Sequence, residues 1–186
     1  MPPKAKFSQE QIIESAYQLV REQGIEALSA RALATRLGVS TAPLFTAFQR
    51  IEEIANLITK RAEMLYDEYM QAGLQSEIAF KGAGLKYIEF AKDEPQLFKL
   101  LFMQESKTPK NSHYLPTGFR YEPGIVRMVS ERYDISQDRV RDIYNHLSVY
   151  THGLAVLFAQ GQCVFTMEDA SRMLSEIYFA LREREC

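Results

Sequence analysis

The sequence predicts an all-α fold of about nine helices, and three features of the chain indicate it. Apolar residues recur at helical spacing in most segments, and no segment has a clear strand pattern. Capping serines and threonines precede these segments, and glycines or prolines bound them. The chain has 186 residues, 46% hydrophobic and 25% charged, which suffices to bury a core without disulfides or metals. Its net charge of −2 argues against a basic nucleic-acid coat protein.

The first helix is predicted to begin after Ser8 and to end at Gly24. Gln11 follows Ser8 by three residues and completes a capping box, and Gly24 occupies the usual position after a helix end. The apolar stripe of this helix comprises Ile12, Ile13, Ala16, Tyr17, Leu19 and Val20. Residues 1–7 carry two lysines. They are predicted to form an arm that either lies along DNA phosphates or is a disordered tail.

Residues 29–48, SARALATRLGVSTAPLFTAF, predict two short helices joined by a sharp turn. Ser29 is expected to cap the first helix, and Ser40 or Thr41 the second. Pro43 then falls in the first turn of the second helix, where its missing N–H does little harm. The apolar inner face is predicted to comprise Leu33, Leu37, Val39, Leu44 and Phe48. This pattern is that of a helix-turn-helix, and the alternative is an ordinary αα-corner in a helical bundle.

The geometry of a helix-turn-helix explains three residues of this segment. Ala34 must be small because the second helix crosses it, Gly38 can adopt positive φ, and Leu44 fills the angle between the helices. The outward positions Thr41, Ala42, Pro43 and Thr46 are short and uncharged, so this helix could enter a major groove closely. The window from residue 28 to 51 contains Arg31, Arg36 and Arg50 and no acidic residue, which predicts a local basic surface.

The remaining helices follow from the same signals. They are predicted at 50–70, 76–92, 95–104, 123–133, 136–160 and 166–184, with Ser136 and Thr166 as the caps of the last two helices and one long polar loop at 105–121. The predicted domains are a helix-turn-helix domain at 1–50 and a ligand-binding and dimerisation domain at 51–186, with the helix at 50–70 as their connector. The last two helices have long apolar stripes and are expected to form the dimer interface, with Leu174 and Tyr178 within it.

Residues 8 to about 65 resemble the TetR family of transcriptional regulators. The resemblance lies in the order of the apolar first helix, Gly24, LSARALATRLGVS, LFTAF and the long fourth helix. It implies a homodimer that binds operator DNA and represses transcription until a small molecule releases it. The positions that match the family's DNA contacts are Ser29, Arg31, Ser40, Thr41, Ala42, Pro43, Phe45, Thr46 and Phe48. Family members usually have Tyr at Phe45 and Lys at Ile51, and Arg50 is expected to replace one phosphate contact.

Aromatic and methionine side chains are concentrated in the later helices. Two stretches, YIEFAKDEPQLFKLLFMQ and YTHGLAVLFAQG, are similar to segments that line the ligand cavity in one subgroup of these regulators. These side chains form either ordinary core or a largely apolar pocket with a few polar anchors. The candidate ligand-binding residues are Tyr87, Phe90, Phe98, Phe102, Met103, Met128, Tyr144, Tyr150 and His152. Gly153, beside His152, serves either close approach by another helix or a ligand, or packing beside a satisfied core histidine.

The sequence contains no motif for catalysis, a cofactor or a metal site. His146 and His152 are six residues apart and cannot chelate from one helical face, and Cys163 and Cys186 form no disulfide framework. The chain also lacks a signal peptide and a membrane-length apolar run, so a cytoplasmic location is expected. We therefore predict a cytoplasmic, dimeric, ligand-responsive DNA-binding repressor that is not an enzyme. The alternative is an all-α ligand-binding or interaction protein of the same fold that has lost DNA binding.

Overall fold

The computed structural model describes residues 7–104 and 123–183, excepting the side chains of residues 79, 80 and 123–125. These residues form nine α-helices and no strand, which confirms the predicted all-α fold. The helices are α1 Gln9–Gln23, α2 Ala30–Leu37, α3 Ala42–Ala47, α4 Ile51–Leu74, α5 Ala79–Asp93, α6 Pro95–Phe102, α7 Pro123–Tyr133, α8 Gln137–Ala159 and α9 Met167–Glu183. A short 3-10 turn, Ile25–Ala27, was not predicted. The predicted lysine-bearing arm at 1–6 and the loop at 105–121 lie outside the described residues.

The chain divides into two compact units. The first comprises Met1–Leu65 and Glu94–Met103, and the second comprises Tyr66–Asp93 and Gln104–Cys186. This division differs from the predicted domains 1–50 and 51–186 because the first half of α4 and all of α6 pack with the N-terminal helices.

The end residues of α1 behave as the sequence predicts. The Ser8 hydroxyl accepts from the Gln11 backbone N–H at 3.2 Å, and the Gln11 side chain accepts from the Ser8 backbone N–H at 2.9 Å. Gly24 ends the helix with φ 86°, a value that a residue with a side chain rarely adopts. Between these ends, Ile12, Ala16, Tyr17, Leu19 and Val20 are buried and form the core face of the first unit.

Helix α6 is held against α1 by a buried carboxylate. Glu94, at the start of α6, is 4% exposed and receives two hydrogen bonds from the guanidinium of Arg21. The bond from Arg21 Nε to Glu94 Oε2 measures 2.6 Å. This pair holds α6 to α1 within the first unit, whereas the sequence predicts α6 within the C-terminal domain.

The junction of α4 and α5 differs from its prediction in position. Helix α4 continues to Leu74 rather than to about residue 70, and α5 begins at Ala79 rather than at residue 76. The Ser76 hydroxyl instead donates to the Ile78 carbonyl at 3.0 Å, in the link between the helices. Gly73 and Gly82 face each other so closely that a methyl group on Gly73 would lie 2.7 Å from the Gly82 oxygen. Close backbone approach therefore explains the glycines of this hairpin.

The second unit is built on α5, α7, α8 and α9. Ser136 caps α8 by accepting from the Arg139 backbone N–H at 3.3 Å, and Thr166 caps α9 as predicted. The Thr166 backbone N–H, the Arg172 guanidinium and the Thr166 hydroxyl all bind the carboxylate of Asp169. These bonds lower the pKa of Asp169 to about 2. A core cluster of Ile143, Leu147 and Leu181 joins α8 to α9.

Candidate functional site

The predicted helix-turn-helix is present in the first unit. Gly38 adopts φ 66° and ψ 36°, the left-handed conformation expected at the turn. Leu33, Ala34 and Leu44 are 0%, 4% and 2% exposed, so α2 and α3 pack through the predicted inner face. The Ser29 hydroxyl caps α2 by accepting from the Ala32 backbone N–H at 3.2 Å.

Helix α3 presents small and uncharged side chains at its surface. Ser40, Ala42 and Thr46 are exposed, and Thr41 and Pro43 are half-buried. The predicted side-chain cap of this helix is wrong: Thr41 holds the N-cap position in helical conformation, and neither a hydroxyl of Thr41 nor one of Ser40 caps the helix. The cap is absent because φ −72° and ψ −18° leave Thr41 outside the extended conformation that a capping side chain needs.

Two aromatic side chains of the segment have opposite environments. Phe45 is 53% exposed and stands among the outward residues of α3, whereas Phe48 is 8% exposed. Phe48 therefore belongs to the core, in agreement with its predicted inner-face position. Its side chain is not available to the surface, although the family resemblance also places it among the DNA contacts.

Contacts at the C-terminal end of α3 fix its orientation within the first unit. The Gln9 side-chain amide donates to the Ala47 carbonyl at 2.8 Å and ties the end of α3 to the start of α1. Glu53 accepts from the Gln49 backbone N–H at 3.2 Å and closes the link into α4. The guanidinium of Arg61 lies 4.4 Å from the ring centroid of Tyr17, so α4 also packs on α1.

The basic surface is smaller than the sequence predicts. Arg36 forms a bidentate pair with Glu22 of α1, with both N–O distances at 2.7 Å. Residues 28–51 contain no acidic residue themselves, but Glu22 lies next to them in the structure because α1 packs beside α2. Arg31 and Arg50 are exposed and form no ion pair within the described ranges 7–104 and 123–183. These two arginines remain as candidates for phosphate contact.

The second unit contains a cavity of about 330 Å³. Its walls come from the end of α4, from α5, from α7, from α8 and from α9, and most of the lining is aliphatic or aromatic. The polar groups in the wall include Lys81, Ser148, Thr151, Ser175 and Arg182. Sequence reasoning did not select these residues. Ser148 and Thr151 could have been noticed as polar residues within the apolar stripe of α8.

The candidate ligand-binding residues are dispersed. Tyr144 lines the cavity of the second unit, and Tyr150 and Met128 belong to this unit without lining that cavity. Phe98 is buried in the first unit, where its ring centroid lies 5.3 Å from that of Phe102. Met103 also belongs to the first unit. Phe90 is fully buried against Tyr66 and Tyr69.

The buried Tyr87 and the half-buried His152 form a polar pair in the second unit. The Tyr87 hydroxyl and His152 Nδ1 are 2.9 Å apart, and burial raises the pKa of Tyr87 and lowers the pKa of His152. The pair favours the interpretation of His152 as a satisfied core histidine. No described part of the chain approaches Gly153 closely, because a methyl group there would meet no atom within 4 Å.

The outer faces of α8 and α9 expose large apolar side chains. Val149 is 57% exposed, Leu157 37% and Phe179 50%. Leu174, which the sequence analysis placed in the dimer interface, is only 5% exposed and lines the cavity. Leu174 therefore packs inside a single chain and is unsuited to test an interface.

Within residues 7–104 and 123–183, no helix is long and apolar enough to cross a membrane. In the same ranges, no three His, Cys, Asp or Glu side chains lie close enough to hold a metal ion.

Comparison with known proteins identifies relatives of the N-terminal region and of most of the chain. The sequence model of the bacterial regulatory proteins of the tetR family matches residues 12–58. An HTH-type transcriptional repressor of Mycobacterium tuberculosis is 27% identical over 157 residues, which are 83% of this chain and 58% of the relative. An uncharacterized HTH-type transcriptional regulator of Mycobacterium bovis matches with the same identity and coverage. The chain thus spans 58% of the length of these curated relatives.

A solved structure has the same fold. It is a TetR-like transcriptional regulator from Rhodococcus sp. RHA1, with a TM-score of 0.62 and 14% sequence identity, and the match covers 94% of this chain and 96% of the other. The regulators of this family are not enzymes, in agreement with the prediction for this chain. Residues 12–58, which contain the helix-turn-helix, match the tetR family of bacterial regulatory proteins.

Proposed function

We propose that the protein is a dimeric transcriptional repressor that binds operator DNA through α3 and is released from it by a small molecule. The observation that carries the DNA-binding part is the surface of α3. Ala42, Phe45 and Thr46 are exposed on a helix whose opposite side is buried through Leu44. A helix with small outward residues and no acidic residue in its first turn can approach base edges closely.

The arginines that flank α3 support a role in phosphate contact. Arg31 begins α2 and Arg50 precedes α4, so cationic side chains stand before and after the recognition helix in the chain. Phosphate contacts position a protein on the duplex, and base contacts supply specificity. In this proposal Arg31 and Arg50 position the protein, whereas Thr41, Ala42 and Thr46 read the groove.

A dimer is required because two recognition helices must occupy successive major grooves about 34–36 Å apart. The exposed apolar side chains Val149, Leu157 and Phe179 on α8 and α9 support an interface there. The effector site is proposed in the cavity of the second unit. An effector lowers operator affinity by its differential binding to the two states of the protein.

The test is selection of binding sequences from a random duplex DNA pool with the full chain, followed by affinity measurement on the selected duplex. We expect a two-fold-related pair of half-sites and affinity at least about a thousandfold above that for unrelated DNA. Recovery of no sequence preference would contradict the proposal.

The second candidate is a ligand-binding protein of the same fold without DNA binding. Four residues favour it: Phe45 lacks a phosphate-binding hydroxyl, Ile51 lacks a charge, and Glu52 and Glu53 place two acids in the first turn of α4. Ile51→Lys separates the candidates. In a DNA-binding protein it should raise affinity and steepen the salt dependence by about one unit of slope, whereas a protein without DNA binding should gain nothing.

A further inference from the structure

The cavity of the second unit has an apolar body and a cationic rim. Its volume of about 330 Å³ lies at the small end of the range for ligand sites. Lys81, in the first turn of α5, and Arg182, in the last turn of α9, both line it. No acidic residue is among its described lining residues. The wall therefore favours a ligand that carries negative charge.

The two cations have no carboxylate partner in the described parts of the chain. The other arginines of α8 and α9 do: Arg139 binds Asp142, Arg141 binds Asp138, and Arg172 binds Asp169. Arg182 instead lies with its guanidinium carbon 5.8 Å from the ring centroid of Phe179, another lining residue. This arrangement keeps two positive charges beside an apolar cavity, where a carboxylate would form a charge-assisted hydrogen bond.

A buried hydroxyl in the same wall also lacks a partner. Thr151 is 4% exposed, and no hydrogen bond to its hydroxyl is made by the described residues. Ser148 and Ser175 differ, because their hydroxyls donate to the carbonyls of Asn145 and Ser171. A buried polar group without a partner is costly, so the Thr151 hydroxyl is suited to a hydrogen-bonding group of a ligand.

The lining residues separate these polar groups along the cavity. Gly84 lies beside both Leu174 and Thr151, whereas the start of α8 lies beside the end of α9, because the Arg139 guanidinium donates to the Leu181 carbonyl at 2.6 Å. Arg182 follows Leu174 by more than two helical turns, which corresponds to about 12 Å along α9. Thr151 and Arg182 therefore stand at opposite ends of an apolar passage.

We propose that the cavity binds an elongated carboxylic acid with an apolar middle and a hydrogen-bonding group at its far end. Arg182 binds the carboxylate, Lys81 adds positive charge to the same wall, the aliphatic walls bind the chain, and Thr151 binds the distal group. This inference rests on the proposed function, for which it names the class of effector.

The test is titration calorimetry of the full chain with 10-hydroxydecanoate, decanoate and the neutral 1,10-decanediol. We expect Lys81→Met and Arg182→Met each to weaken binding of both acids roughly tenfold and to leave the diol unchanged. Thr151→Val should lower the affinity for 10-hydroxydecanoate to the affinity for decanoate. Lys92→Met is the matched control, an exposed lysine of α5 outside the cavity, and should change nothing.

Three results would overturn the inference. The first is that the parent protein binds the diol as tightly as the hydroxy acid. The second is that Lys92→Met loses as much affinity for the acids as Lys81→Met and Arg182→Met do. The third is that the folded parent protein binds none of the probes. Circular dichroism establishes folding of each variant, and Lys81→Gln replaces any Lys81→Met protein that fails to fold.

Because the titration contains no DNA, its outcome is independent of the proposed repressor function. If the hydroxy acid binds with the expected variant pattern but leaves DNA affinity unchanged, this site stands and the proposed release mechanism fails. If the protein binds a selected duplex but no acid, the effector class fails and DNA binding stands.

Discussion

At the scale of single residues, Glu94 is the one charged residue that is buried in the described parts of the chain. Its carboxylate is 4% exposed, and both of its oxygens bind Arg21, whose side chain is 44% exposed. The cost of burying Glu94 is therefore offset by one partner that solvent still reaches. Removing that partner leaves a desolvated charge, which is more destabilising than losing a surface pair.

We expect Arg21→Met to lower the free energy of unfolding by about 1–3 kcal/mol. The double variant Arg21→Met, Glu94→Gln should recover part of that loss because the unpaired charge is gone. Chemical denaturation measures both values. Arg127→Met is the control: it breaks an exposed pair with Glu131 and should lower the free energy of unfolding far less than Arg21→Met does. Equal losses at Arg21 and Arg127 would show that Glu94 is not desolvated.

His152 gives a prediction for the pH dependence of stability. Burial lowers the pKa of His152 below the ordinary histidine value of 6.5, so below that pH the unfolded chain binds more protons at this position than the folded chain. Its contribution to stability is thus complete above pH 6.5 and decreases as the pH falls. Between pH 7 and pH 5 the parent should lose more free energy of unfolding than His152→Gln, as followed by denaturation. Parallel pH profiles would place His152 in a solvated environment.

At the scale of helices, the glycines within α4 and α8 have different roles. A methyl group on Gly73 would lie 2.7 Å from the Ala83 Cα atom, whereas one on Gly153 would meet nothing within 4 Å. The first glycine permits α4 and α5 to approach, and the second only weakens α8. Helical glycine costs about 0.5–1 kcal/mol relative to alanine where no such approach requires it.

Gly153→Ala should therefore raise the free energy of unfolding by about 0.5–1 kcal/mol. Gly73→Ala should lower it by about 1–3 kcal/mol, because backbone atoms of α5 must move to admit the methyl group. Thermal and chemical denaturation of the two single variants provide the comparison. Destabilisation by Gly153→Ala would mean that another surface, such as a partner subunit, covers this face of α8.

The helices were predictable from the sequence because their boundaries depend on local signals. Ser8, Ser29, Ser136 and Thr166 cap the helices that they were predicted to cap, since each provides its hydroxyl to an N–H three residues away. Thr41 was not predictable in this way, because its backbone is already helical.

The candidate sites were less predictable because they depend on contacts between distant segments. The Arg36–Glu22 pair joins different helices, so the acid-free window 28–51 could not reveal it. The aromatic residues selected for a pocket fill cores in both units, because an apolar stripe has the same composition whether it faces a core or a cavity. Lys81 and Arg182 were overlooked because a lone cation at a helix end is usually solvated.

At the scale of the whole molecule, assembly is proposed to depend on the outer faces of α8 and α9. Phe179→Arg and Val149→Arg should each convert the dimer to monomer in analytical ultracentrifugation, because a symmetric interface contains every substitution twice. Both side chains are at least half exposed in the single chain, so the fold should tolerate arginine. Met64→Arg is the control, since Met64 is 66% exposed on α4. A dimer in both test variants would place the interface elsewhere.

The central claim, that α3 docks on DNA, is tested most directly by the affinity of Thr41→Asp for a selected duplex. A carboxylate at this position would face phosphates, and the substitution should abolish specific binding while the protein stays folded. Gln71→Glu is the control because it changes the net charge equally on an exposed part of α4. The account predicts parental affinity for Gln71→Glu and no detectable specific binding for Thr41→Asp. Parental affinity in Thr41→Asp would contradict it.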